Sequence, residues 1–78
     1  MFITVYTRPG CPHCDQTKAM LDNLSLGFVE VDLIENPSAL AKIKDEWGFT
    51  QAPVVETDED VWSGHRPERL KQLAREND

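Results

Sequence analysis

The only two cysteines of the chain, Cys11 and Cys14, stand three positions apart. A disulfide across so short a loop removes little chain entropy and makes a poor staple. Yet at 78 residues the chain falls in the size range where domains often lean on disulfides or a metal. Stability must then come from packing the aliphatic residues with Trp47 and Trp62, which leaves the cysteine pair available for reaction. The length allows one domain, over 1–78.

Eight Lys and Arg against fourteen Asp and Glu give a formal charge of -6. That balance argues against nucleic acid as a partner, and against docking on an anionic membrane. The acidic residues are spread along the sequence, and the short run Asp58-Glu59-Asp60 fits a solvated turn. Met1 is followed at once by Phe2-Ile3-Thr4-Val5-Tyr6, too short for a signal-peptide core and without a basic leader. No apolar stretch approaches membrane-spanning length. The expectation is a cytoplasmic monomer, in a compartment where paired cysteines are catalytic or metal-binding rather than structural.

Residues 2–6 are β-branched and aromatic, the composition of a strand. Thr7-Arg8-Pro9-Gly10 makes a loop, and Pro12 suits the first turn of a helix running to about Leu24. Thr17, Met20, Leu21 and Leu24 recur at helical spacing as its buried stripe, while Asp15, Gln16, Asp22 and Asn23 fall on the wet side. Phe28 to Asp32 alternates as a half-buried strand does. Asn36 as N-cap and Pro37 open a second helix, with Leu40, Ile43 and Trp47 inward and Gly48 closing it. Val54–Thr57 and Val61–Ser63 form a hairpin around the acidic turn, and Pro67 opens a last helix with Leu70, Leu73 and Ala74 inward. Its Glu68 early and Arg75 late complement the helix dipole. The order β-α-β-α-β-β-α predicts an α/β fold: a four-stranded mixed sheet, opened by a right-handed parallel crossover and flanked by three helices.

In this order Cys11 falls at the N-cap of the first helix, where orphan backbone N–H groups and the positive end of the dipole converge. A free thiol has a pKa near ~8.5, and such positions in C-x-x-C motifs lower it to roughly 3.5–7.5. The thiolate is the attacking species, so Cys11 is the candidate nucleophile. Cys14 shares the stripe of Thr17, Leu21 and Leu24, so its sulfur points inward and suits a resolving role. Pro12 fixes the backbone between them. Protonated His13 adds a cation beside Cys11 that favours the thiolate, while as a bland surface residue it does nothing. The rival reading is a metal site. Structural zinc takes four ligands, whereas the chain offers two thiols, an adjacent His13 and the single further imidazole of His65. An iron–sulfur cluster shared between two chains is a third reading.

Thr7-Arg8-Pro9-Gly10-Cys11-Pro12-His13-Cys14 resembles the active-site loop of glutaredoxins. Gly48-Phe49-Thr50-Gln51-Ala52-Pro53-Val54-Val55 and Trp62-Ser63-Gly64-His65-Arg66-Pro67 resemble the two downstream signatures of NrdH-redoxins, glutaredoxin-like proteins that behave like thioredoxins. The likeness implies a thioredoxin/glutaredoxin fold and a dithiol–disulfide oxidoreductase. Its redox centre is a Cys11–Cys14 disulfide, with no further cofactor and no metal. It implies thioredoxin reductase as reductant and ribonucleotide reductase as oxidised substrate. It also implies a cis Ala52-Pro53 peptide facing the cysteines, and a substrate surface drawn from Arg8, Ala52, Pro53, Trp62, Ser63, Gly64, His65 and Arg66. Glutathione-using glutaredoxins resemble one another in a Gly-Gly-x-x-Asp run. Here that stretch is Ser63-Gly64-His65-Arg66-Pro67-Glu68, without the Asp, so a glutathione-dependent glutaredoxin is the alternative rather than the first reading. Two features depart from the NrdH pattern. The Pro12-His13 spacer is similar to that of strongly oxidising periplasmic thiol oxidases, and His65 stands where the family prefers Phe.

Overall fold

The computed structural model describes residues 1–76, so the last two positions of the expected 1–78 domain lie outside the described residues. The elements are β1 (Thr4–Thr7), α1 (Pro12–Asn23), β2 (Val29–Asp32), α2 (Pro37–Asp45), β3 (Val54–Glu56), β4 (Val61–Ser63) and α3 (Pro67–Glu76). They form one sheet in the order β2-β1-β3-β4. β1 pairs in parallel with β2 and antiparallel with β3, which pairs antiparallel with β4.

The two-residue period of β1 divides the core. Ile3 and Val5 pack with Val55, Trp62, Leu21, Leu70 and Leu73 on the face covered by α1 and α3. Tyr6 and Val54 pack with Leu33 and Ile43 on the face covered by α2. All four residues of β1 are buried, as befits a central strand covered on both sides. β2 is an edge strand, and its Val29 is exposed.

Several sequence expectations need adjustment: β2 begins at Val29 rather than Phe28, and β3 ends at Glu56 rather than Thr57. The first strand begins at Thr4, with Phe2 exposed. Asn36 occupies the N-cap position of α2, but its side chain makes no cap bond and donates instead to the Asp32 carbonyl at 2.8 Å. Trp47 lies past the end of α2, where Gly48 takes a positive φ of 71° and the Phe49 N–H returns to the Ile43 carbonyl at 3.0 Å. From there Trp47 packs edge-on to Tyr6 at 6.0 Å, so its inward role is kept by a turn rather than by the helix.

One polar cluster ties β1, α1 and β2 together at the sheet edge. Glu30 accepts the Thr7 hydroxyl at 2.7 Å and the Lys18 ammonium at 3.0 Å. The hydroxyl first, and then the ammonium, hold the Glu30 carboxyl below its ordinary range. A carboxylate favoured by the fold stabilises it above the unfolded-state value and loses that contribution as pH falls through the folded one. The Glu30 side chain is 42% exposed, so Glu30→Gln should cost less than about 1 kcal/mol near neutrality. Urea titrations of the two proteins from pH 7 to 3 should show the difference shrinking only once pH drops below the ordinary glutamate range. A gap that stays constant across the series would show that the charge is not involved.

Candidate active site

The cysteine pair is positioned by the end of the central strand. β1 leads into Arg8-Pro9-Gly10, and Gly10 turns the chain with φ at 70°, a conformation that glycine adopts without strain. Cys11 then stands at the N-cap of α1 with extended backbone, and Pro12 fills the first helical position. The Cys11 Sγ accepts the Cys14 N–H at 3.1 Å. This is the capping bond that a serine or aspartate oxygen makes elsewhere. In the dithiol state the same N–H, backed by the helix dipole, favours thiolate over thiol at Cys11.

Cys11 and Cys14 are joined as a disulfide, with Cα atoms 5.2 Å apart. The two sulfurs differ sharply in access. Cys11 is half-buried, while Cys14 is 1% exposed and faces inward beside Thr17 and Leu21.

Across from Cys11 lies the segment leading into β3. The Ala52-Pro53 peptide is cis, and the Ala52 carbonyl oxygen sits 3.9 Å from Cys11 Sγ. Among the described residues, no backbone hydrogen bond joins Ala52 to the rest of the fold. Its neighbours are held firmly. Ser63 Oγ donates to the Gln51 carbonyl at 2.8 Å, and the Gly64 N–H to the Pro53 carbonyl at 2.7 Å. Gly64, with φ at 90°, turns the chain out of β4, and Arg66 Nε returns to the Ser63 carbonyl at 3.0 Å. His65 Nδ1 lies 2.7 Å from the hydroxyl of the fully buried Thr17. That contact fastens the β4–α3 loop to the helix carrying both cysteines.

These elements enclose two adjoining depressions. The first, about 360 Å³, is lined by Arg8, Gly10, Cys11, Pro12, His13, Gln51 and Ala52. The second, about 350 Å³, continues past His13, Gln51 and Ala52 to Ser63, Gly64, His65 and Arg66. Arg8, His13, Ala52, Ser63, Gly64, His65 and Arg66 are thus brought together around Cys11. Pro53 is fully buried beneath this surface. Trp62 is not part of it. Its side chain is 5% exposed within the α1–α3 face of the core, and its ring lies under the Arg69 guanidinium at 4.5 Å. Neighbours in a strand point to opposite faces, so Trp62 turns away from the groove that Ser63 lines.

Gln51, Gly10 and Thr17 join the site without having been singled out. For Thr17 there was a signal, a polar residue inside an apolar stripe one turn after Cys14. Among the described residues, no three His, Cys, Asp or Glu side chains gather in a way that could hold a metal ion. Among the described residues, no helix is long and apolar enough to cross a membrane.

Comparison with known proteins agrees with this geometry. The family pattern described as Glutaredoxin matches residues 3–62. The glutaredoxin-like protein NrdH of Lactococcus lactis subsp. cremoris is 36% identical over 72 residues, covering 92% of this chain and 99% of that protein. The NrdH protein of Escherichia coli K12 is 36% identical over 73 residues, covering 94% of this chain and 89% of its own length. The solved structure of NrdH-redoxin from Escherichia coli, described as a glutaredoxin-like protein with a thioredoxin-like activity profile, superposes with a TM-score of 0.90 over 94% of this chain and 95% of that one.

Proposed function

The chain belongs to the glutaredoxin family, among its NrdH-type members, and is a thiol–disulfide oxidoreductase; from that premise we propose that it is a cytoplasmic protein disulfide reductase of thioredoxin-like behaviour, reduced by thioredoxin reductase and passing electrons to ribonucleotide reductase. Cys11 is the nucleophile in this reading and Cys14 the resolving thiol. The Cys11 thiolate attacks one sulfur of a substrate disulfide. That S–S bond breaks, the departing thiolate takes a proton from solvent, and a mixed disulfide with Cys11 remains. Cys14, one helical turn away, loses its proton and attacks Cys11 Sγ. The second substrate thiolate leaves and is protonated. The substrate has gained two electrons and two protons, and the protein holds the Cys11–Cys14 disulfide, which a flavoprotein reductase returns to the dithiol at the expense of NADPH.

The observation that carries this reading is the asymmetry of the pair. Cys11 Sγ accepts a backbone N–H at the mouth of a groove, while Cys14 is sealed behind it. The free backbone of Ala52 offers an edge with which an extended substrate segment pairs. Thioredoxin reductase is preferred over glutathione as electron source because Ser63 to Glu68 lacks the aspartate expected to hold the tripeptide's amino end. His65, in that stretch, is engaged with Thr17.

The test is insulin-disulfide reduction with two alternative electron supplies. Thioredoxin reductase with NADPH should sustain turnover, and glutathione with its own reductase should give at least about tenfold less. Turnover from glutathione alone would reverse the assignment. No reduction with either supply would remove it.

A further inference from the structure

The charge of this molecule is sorted by position. With fourteen acidic against eight basic residues, a depression chosen at random should carry carboxylates. At the β3–β4 turn they do, with Asp58, Glu59, Asp60 and Glu76 lining the two cavities there. Around Cys11 the pattern inverts. Among the described residues, no acidic side chain lines the two depressions beside it or a third that extends past Arg8 to Lys44 on α2. Arg8 lines the depression that holds Cys11, Lys44 the one that shares Arg8, Gln51 and Ala52 with it, and Arg66 the one that shares His13, Gln51 and Ala52 with it.

These cations are also uncommitted. Among the described residues, the ion pairs engage Lys18 with Asp15 and Glu30, and Arg69 with Asp60. Among the described residues, Arg8, Lys44 and Arg66 pair with no carboxylate. Arg66 is aimed by its bond to the Ser63 carbonyl, a contact that orients a guanidinium without neutralising it. In a protein of charge -6, long-range repulsion should discourage acidic partners. A local field of opposite sign at the reacting sulfur selects among them and sets their direction of approach.

We propose that this surface recognises an acidic, extended polypeptide segment, with carboxylates flanking the reacting cysteine on both sides: one end meets Arg8 and Lys44, the middle pairs with Ala52, and the other end meets Arg66. The proposal rests on the disulfide-reductase reading above and specifies its substrate class. Charge complementarity is the argument for a peptide of this kind. The three adjoining depressions make the surface longer than a single small thiol needs.

The experiment uses the reduced protein and three synthetic peptide disulfides identical except for flanking residues, Glu, Gln or Lys on both sides. Second-order rates of reduction at low ionic strength should fall in that order, with Glu about tenfold faster than Lys, and the spread should shrink to within about twofold near 1 M salt. Arg8→Glu combined with Arg66→Glu should invert the order. Lys71→Glu with Arg75→Glu, which shifts net charge equally on the exposed side of α3, should leave the order unchanged. Equal rates for all three peptides would overturn the acidic-segment proposal while leaving the reductase reading intact. Inversion by both double variants would also overturn it, since net charge rather than the groove would then decide. Glutathione disulfide reduced as fast as the Glu peptide would overturn the assignment to a polypeptide. Reduction of no peptide would overturn the proposal together with the reading beneath it.

Discussion

Cys11→Ser is expected to abolish disulfide reduction, a loss on the order of 10³-fold or more, whereas Cys14→Ser is expected to accumulate a stable mixed disulfide with its substrate. The two thiols are three residues apart on one turn, so any difference between them must come from their surroundings. Cys11 Sγ is reachable from the groove and accepts the Cys14 N–H at 3.1 Å, a contact that in the dithiol state favours the thiolate over the thiol. A serine hydroxyl there keeps the capping geometry but is far too weak an acid to ionise at neutral pH. Cys14 is 1% exposed and cannot meet an external disulfide until the substrate is already attached to Cys11. Removing it leaves the first step intact and deletes the second. Capture of an insulin chain by each variant, read by mass spectrometry under non-reducing conditions, checks this directly. An adduct on Cys11→Ser and none on Cys14→Ser would reverse the roles assigned to the two sulfurs.

What made Cys14 readable from sequence was its place in the series Cys14, Thr17, Leu21, a spacing that obliges one helix face to be buried whatever lies opposite. The same reasoning failed at Trp47, because residue spacing reports a side chain's direction and not where the backbone hydrogen bonds stop. The helix stops at Asp45, and a turn through Gly48 carries Trp47 to the same core. Asn36 takes the N-cap position that the sequence predicts, but its side chain is used elsewhere for a related reason. Its amide had two acceptable uses, and the choice depended on where β2 placed the Asp32 carbonyl, a tertiary fact. Trp62 shows the opposite case, in which the sequence held the answer. The alternation of a strand sends Trp62 and Ser63 to opposite faces, which favours the core-packing reading of Trp62 over the substrate contact that the family resemblance implies. The Thr17–His65 contact and the lining role of Gln51 join residues far apart in the chain, and no local pattern announces either.

The second large effect concerns the scaffold. Leu21→Ala should cost about 2–5 kcal/mol, because it deletes a fully buried side chain and leaves a cavity that the surroundings fill only in part. Leu21 sits where α1 meets Val5, Val55 and Leu70, so the lost contacts come from the sheet and from α3 together. At roughly 0.05–0.15 kcal/mol per residue, a chain of 78 residues has about 4–12 kcal/mol in all, and this one substitution removes a large share. The loss should be nearly the same in the oxidised and reduced proteins, since the short disulfide loop constrains the unfolded chain only weakly. Val29→Ala provides the contrast. Val29 is 47% exposed on the edge strand and should cost less than about 1 kcal/mol. Urea denaturation of the three proteins, with and without reductant, reads all of these differences on one scale. A Leu21→Ala penalty that appears only after reduction would mean that the disulfide, rather than the packing around α1, holds this fold together.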